Sequence, residues 1–127
     1  MRRLAIWAMA LILLAGCGDR PKLVPAAGKL THKGQPLTAG SVIFVPDAGN
    51  AWAKDNPSSL LQTDGSFTMK TFPYGDGVSP GKYKVTLDPA LAGRIRQPAL
   101  SKADKTPWSV EIPDTGKTDI SLEAKGK

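Results

Sequence analysis

A chain of 127 residues with a formal net charge of +6, one cysteine and one histidine has room for a single hydrophobic core and few means of catalysis. The single cysteine excludes an intramolecular disulfide, and the single histidine excludes a two-histidine zinc centre. Lysines are scattered among acids without interleaved aromatics, which argues against a nucleic-acid surface.

The chain opens with Arg2 and Arg3, an apolar run from Leu4 to Leu14, and the small residues Ala15 and Gly16 before Cys17. That order is the order of an export signal. The run is too short to span a bilayer, which takes roughly 20 apolar residues. Its ending, Leu14-Ala15-Gly16-Cys17, resembles a bacterial lipobox. The resemblance implies a diacylglycerated Cys17 thiol, removal of residues 1–16 and acylation of the new amino terminus. Two or three acyl chains anchor firmly where one binds only marginally. Loss of Arg2 and Arg3 with the leader takes the formal charge from +6 to +4. Residues 17–26, with Pro21 and Pro25, suit a short tether, and residues 27–127 form the expected domain. The expected location is the cell envelope, on the periplasmic or outer side of a membrane.

From Ala27 the pattern is that of strands. Ala27 to His32 is the first, and Lys33-Gly34-Gln35-Pro36 turns the chain. Ser41 to Val45 is a β-branched run stopped by Pro46 and predicts a buried strand. Residues 47–58 form a polar excursion that carries an exposed aromatic, Trp52. Leu60 to Thr63, Asp64-Gly65 and Ser66 to Phe72 predict a hairpin, because Asp-Gly accepts the positive φ angles of a tight turn. A second loop, Pro73 to Pro80, carries Tyr74. In Gly81 to Asp88, Tyr83, Val85 and Leu87 alternate with Lys82, Lys84 and Thr86, as on a strand with one wet face. Residues 89–106 contain a weak helical turn near Ala90 to Arg94, bounded by Pro98. Trp108, Val110 and Ile112, then Ile120 and Leu122, supply the last two strands.

Seven short alternating strands predict an all-β, antiparallel, two-sheet sandwich. The expected core is Leu30, Val42, Phe44, Leu61, Phe67, Met69, Tyr83, Val85, Leu87, Trp108, Val110, Ile112, Ile120 and Leu122.

Five segments carry a further resemblance: Gly28-Lys29-Leu30-Thr31, Lys33-Gly34-Gln35-Pro36-Leu37, Val42-Ile43-Phe44-Val45-Pro46, Thr63-Asp64-Gly65-Ser66-Phe67 and Pro80-Gly81-Lys82-Tyr83-Lys84-Val85. In order and spacing, with Pro107-Trp108-Ser109-Val110-Glu111 near the end, they resemble small bacterial lipoproteins with a carboxypeptidase regulatory-like, transthyretin-like domain. The resemblance implies a prealbumin-like seven-stranded sandwich. It implies little chemistry, since such domains serve as folding aids, spacers or binding modules.

The residue types bear on four chemistries. A Ser-His-Asp arrangement needs a base, and His32, beside Lys33 at a strand end, is better explained as an exposed turn histidine. Transthyretin-like hydroxyisourate hydrolases need several histidines and a Tyr-Arg-Gly-Ser ending, whereas this chain ends Glu123-Ala124-Lys125-Gly126-Lys127. Calcium would need grouped oxygen ligands, and Asp47, Asp55, Asp64 and Asp76 have no fixed spacing and suit ordinary turns. An adhesin-type crosslink would cast Lys29, Asp119 and Glu111 together, but Lys29 alternates with inward Leu30 and faces water. Binding is left: Trp52 and Tyr74 on two polar loops could stack on a sugar or anchor a protein. The expectation is a non-enzymatic envelope module without cofactor or metal. It is held to the membrane through Cys17, with an envelope protein or polysaccharide as partner and no nucleic acid. Its site residues are Cys17 for lipidation and Trp52 and Tyr74 for a ligand.

Overall fold

The computed structural model describes residues 20–124, so the leader, Cys17 and the last three residues lie outside the described residues. In chain order the strands are β1 (Ala26–His32), β2 (Gln35–Pro36), β3 (Ser41–Pro46), β4 (Ser58–Leu60), β5 (Ser66–Thr68), β6 (Lys70–Thr71), β7 (Gly75–Asp76), β8 (Gly81–Leu87), β9 (Ser109–Ile112) and β10 (Lys117–Ala124). A helix α1 (Pro89–Arg94) and a 3-10 turn (Pro98–Ser101) lie between β8 and β9. The ten segments differ from the seven expected, and three of them, β2, β6 and β7, are two-residue pairings. Such short pieces show no alternation in sequence.

Two sheets enclose the core. In the first, β1 is central, with β10 on one side and β2 and β5 on the other. The second runs β7-β6-β4-β3-β8-β9. The architecture is therefore a mostly β, two-sheet sandwich with little helix, but it is not wholly antiparallel as expected: β1 and β10 run parallel, from Ala26 opposite Lys117 to His32 opposite Ala124. No tight turn links these two strands, and more than eighty intervening residues give the chain length to return in the same direction.

The Asp64-Gly65 turn forms as expected, with Gly65 N–H donating to the Gln62 carbonyl at 2.9 Å and the Asp64 carboxylate accepting Ser66 N–H at 3.0 Å. Hydrogen bonds from the Ser66 side chain and backbone hold the Asp64 carboxyl below its ordinary pKa. The arms of the expected hairpin, however, part into different sheets. β4 pairs with β3, whereas β5 pairs with β1. The crossing point is Met69, whose N–H donates to Ala26 at 2.8 Å while its carbonyl accepts from Gly77 at 2.8 Å. Met69 is thereby bound to β1 of the first sheet and to the residue that follows β7 of the second, and it is fully buried.

Twelve of the fourteen expected core residues are buried, with Phe44 and Tyr83 in tilted contact at 5.5 Å near the centre. Trp108 and Val110 are corrections: both are only partly buried, packed against the core's margin. Trp108 precedes and Val110 belongs to β9, an edge strand of the second sheet with a paired strand on one side only. The core also takes Leu91, Ala92, Ile95 and Leu100 from the helical connection. Pro89 at the first helical position and Asp88 as N-cap, accepting Leu91 N–H at 2.8 Å, start α1. Arg94 ends it, donating to the Thr38 and Ala39 carbonyls at 2.8 and 3.1 Å. The turn expected to be weak is thus tied down at both ends and closes over the core.

Folding also reaches upstream of Ala27. Val24 is buried and exchanges backbone hydrogen bonds with Val78 at 2.8 and 2.9 Å, and the Pro25 carbonyl accepts Lys117 N–H at 2.8 Å. Residues 24 and 25, which suit a tether by composition, are part of the fold.

Candidate functional site

After β3 the chain leaves the sheet at Asp47 and is pinned back by Asn50. The Asn50 amide donates to the Lys82 carbonyl at 2.7 Å and accepts Lys82 N–H at 2.8 Å, holding the loop against the start of β8. Asp47 N–H also donates to Lys82 at 3.0 Å. A loop anchored this way presents the residues that follow at a fixed place. Trp52 comes next, and its indole N–H donates to Asp55 at 2.9 Å, an i to i+3 contact. The Lys54 ammonium lies 4.7 Å from the centre of the Trp52 ring.

The second loop approaches from β6. Tyr74 N–H donates to the Thr71 carbonyl at 2.8 Å, closing the turn 71–74, and the buried Thr71 hydroxyl donates to Gly77 at 2.8 Å. The turn carries two outward rings, Phe72 at 77% exposure and Tyr74 at 40%. Tyr74 meets Trp52 edge to face, with centroids 5.6 Å apart and an interplanar angle of 87°. Trp52 is therefore half-buried, not exposed as expected, because Tyr74 and Lys54 cover parts of its ring.

Beside Trp52 lies a shallow depression of about 290 Å³, lined among others by Arg20, Lys22, Ala51, Pro80 and Asp114. Arg20 and Lys22 are exposed. The structure thus brings together the two aromatics named from sequence, which lie on separate loops, and adds Arg20, Lys22, Lys54 and Asp55. The Trp52-to-Asp55 spacing was a local clue to the indole's partner. The approach of Arg20 and Lys22 has no local signal, since it depends on the Val24–Val78 pairing.

The other weighed residues stand apart. His32 is a correction: it is half-buried, not an exposed turn histidine, and among the described residues its buried Nε2 has no hydrogen-bond partner. It ends β1, paired in register with Gln35 of β2 on one side and Ala124 of β10 on the other. Lys29 is exposed, Asp119 is exposed and 3.1 Å from Lys117, and Glu111 lies in the other sheet. The Lys117 hydrogen bond, then its charge, holds the Asp119 carboxyl below its ordinary pKa. Asp55 serves Trp52, Asp64 serves Ser66 and Asp76 lies 3.8 Å from Lys70, so these carboxylates are dispersed. No group of three or more His, Cys, Asp or Glu side chains among the described residues is placed to hold a metal ion. Cys17 lies outside the described residues. Among the described residues no helix is long and apolar enough to cross a membrane.

No family model matches the chain, and no curated protein matches it. Among solved structures, a DUF3823 family protein from Parabacteroides merdae is similar, with a TM-score of 0.49 and 19% identity, over 82% of this chain and 46% of that one. The chain thus spans about half the length of that protein.

Proposed function

We propose that this protein is a lipid-anchored, non-enzymatic β-sandwich of the cell envelope with a structural or protein-interaction role. The observation that carries the reading is Leu14-Ala15-Gly16-Cys17 at the end of an apolar run that follows Arg2 and Arg3. The non-enzymatic half rests on the sequence, which offers a single histidine and no acid–base–nucleophile pattern. A carboxypeptidase regulatory-like identity is part of the same proposal and rests on the five sequence segments quoted above.

A second reading, a polysaccharide- or solute-binding lipoprotein, is favoured by the convergence of Trp52 and Tyr74. Against it, the Trp52 N–H is already given to Asp55 and the ring is contacted by both Lys54 and Tyr74, which leaves less of the indole for a sugar. Saturable sugar binding lost in Trp52→Ala would move the balance to this reading.

The test is the intact mass of the protein purified from membranes of its native host, beside a Cys17→Ser variant. Cleavage before Cys17 with added acyl mass, absent in the variant, is the expected result. An unmodified soluble product overturns the proposal.

A further inference from the structure

We infer that the Trp52–Tyr74 patch is the membrane-facing end of the domain, lying against a bilayer surface that contains anionic headgroups. The inference rests on the lipid anchor proposed above and goes beyond it, because an anchor alone leaves the orientation of the domain open. Its first support is reach. Arg20 lines the depression beside Trp52, and three Cα-to-Cα steps, across Gly18 and Asp19, separate it from Cys17. At the covalent limit of ~3.3–3.6 Å per residue, those three cover no more than about 11 Å. With the acyl chains in the hydrocarbon core, the glyceryl thioether on Cys17 would sit at the level of the headgroups, a layer of roughly 5–8 Å in each leaflet.

The second support is the lack of slack further along. Val24 is locked into the sandwich by two hydrogen bonds to Val78, and Pro21 is half-buried. A free tether through residue 26 would let the domain stand off and turn over. A segment bound from Val24 onward holds the Trp52 end close to the anchor instead.

The third support is chemistry. Tryptophan and tyrosine favour the membrane interface because each joins an apolar ring to a polar tip. Tyr74 and Phe72 expose their rings on one turn, and Trp52 packs behind Tyr74. Of the residues lining the depression, Arg20 and Lys22 are basic and Asp114 is acidic. Asp55 is engaged by the Trp52 N–H. Basic side chains near an anionic leaflet are each attracted to it, and their aliphatic stems extend along apolar surface.

The experiment uses the lipidated chain, its acylation checked by intact mass, in vesicles of phosphatidylcholine and phosphatidylglycerol. Some of the lipids carry bromine near the acyl carbonyl to quench nearby tryptophan. Cleavage removes Trp7, so Trp52 and Trp108 are the fluorophores. The Trp52 signal is taken both from a Trp108→Phe variant and as the difference between wild type and Trp52→Phe, so that neither variant alone decides. More than half of the Trp52 emission should be lost to the brominated lipid, while Trp108 is little affected. An acylated protein whose Trp52 is quenched no more than Trp108 overturns the inference and leaves the anchor standing. If the same unquenched Trp52 responds saturably to an envelope polysaccharide, the patch belongs to the sugar-binding reading. A product without acyl chains overturns the anchor and the inference together.

Discussion

The indole of Trp52 and the phenol of Tyr74 meet edge to face at 5.6 Å, joining two loops that have no strand in common. Edge-to-face pairs contribute about 0.5–1.5 kcal/mol beyond the area they bury. A double-mutant cycle of Trp52→Ala and Tyr74→Ala, read by urea unfolding, should return a coupling energy in that range. A coupling of zero would mean that the rings touch without holding the loops.

The Asp88 carboxylate fastens two elements at once. One oxygen accepts Ser41 N–H at 2.6 Å and the other accepts Leu91 N–H at 2.8 Å. Loss of an N-cap costs about 0.5–2 kcal/mol, and a hydrogen bond to a charged group contributes about 1.5–3. Asp88→Ala should therefore lower unfolding stability by about 2–5 kcal/mol, with Asp88→Asn losing less because its amide oxygen still accepts one bond. Equal losses in the two variants would show that the negative charge, not the acceptor geometry, matters.

Gly28 lies on β1 where β10 comes closest. A Cβ there would run into the backbone carbonyl and side chain of Ile120. Backbone cannot yield as a flexible side chain can, so Gly28→Ala should destabilise by at least the ~1–3 kcal/mol typical of overpacking. The lesion should be local to the parallel pair. Hydrogen exchange should speed up at Ser121 and Leu122 before it does on β3 or β8, and uniform acceleration would count against this placement.

Tyr83 is 1% exposed, and its hydroxyl donates to the Ser79 carbonyl at 2.5 Å. Burial pushes its pKa up to about 12 from the ordinary 10.0. Between those values the unfolded chain loses the phenolic proton while the folded chain keeps it, so the unfolded state binds fewer protons and stability falls as pH rises. The contribution is complete below pH 10 and is lost as pH climbs toward 12, a decline of roughly 2–3 kcal/mol at 1.36 kcal/mol per unit. Tyr83→Phe should start less stable at pH 7, having lost the donor to Ser79, and should show a flatter decline above pH 10. A parallel decline in both proteins would assign the alkaline loss to other groups.

How much of this molecule was legible in its sequence depends on the range of the signal. Tyr83, Val85 and Leu87 alternate with Lys82, Lys84 and Thr86, and all three of the former are buried. Thr86 is buried as well, against the alternation, because its hydroxyl donates to the Ile43 carbonyl on the neighbouring strand at 3.0 Å. A satisfied hydroxyl can go where the pattern expects water. Leu91 and Ile95 carry no sequence signal as core, because a six-residue helix that starts at Pro89 shows too few turns for a periodicity. In the candidate site, Trp52 and Tyr74 were identifiable as aromatics in polar loops, but their contact was not, since each loop is positioned by partners far along the chain.

The sequence by itself determined the all-β character, the turns at Lys33-Gly34 and Asp64-Gly65 and most of the inward-facing side chains. Those properties depend on residues within a few positions of one another: a period of two for the strand faces, and backbone permissiveness for the turns. Only the tertiary structure decided the parallel pairing of β1 with β10, the crossing between sheets at Met69, the helical cover over the core and the meeting of Trp52 with Tyr74, Arg20 and Lys22. Each of these is a choice among distant partners. It is settled by which closure of the whole chain buries the most apolar surface while leaving the fewest backbone groups unpaired.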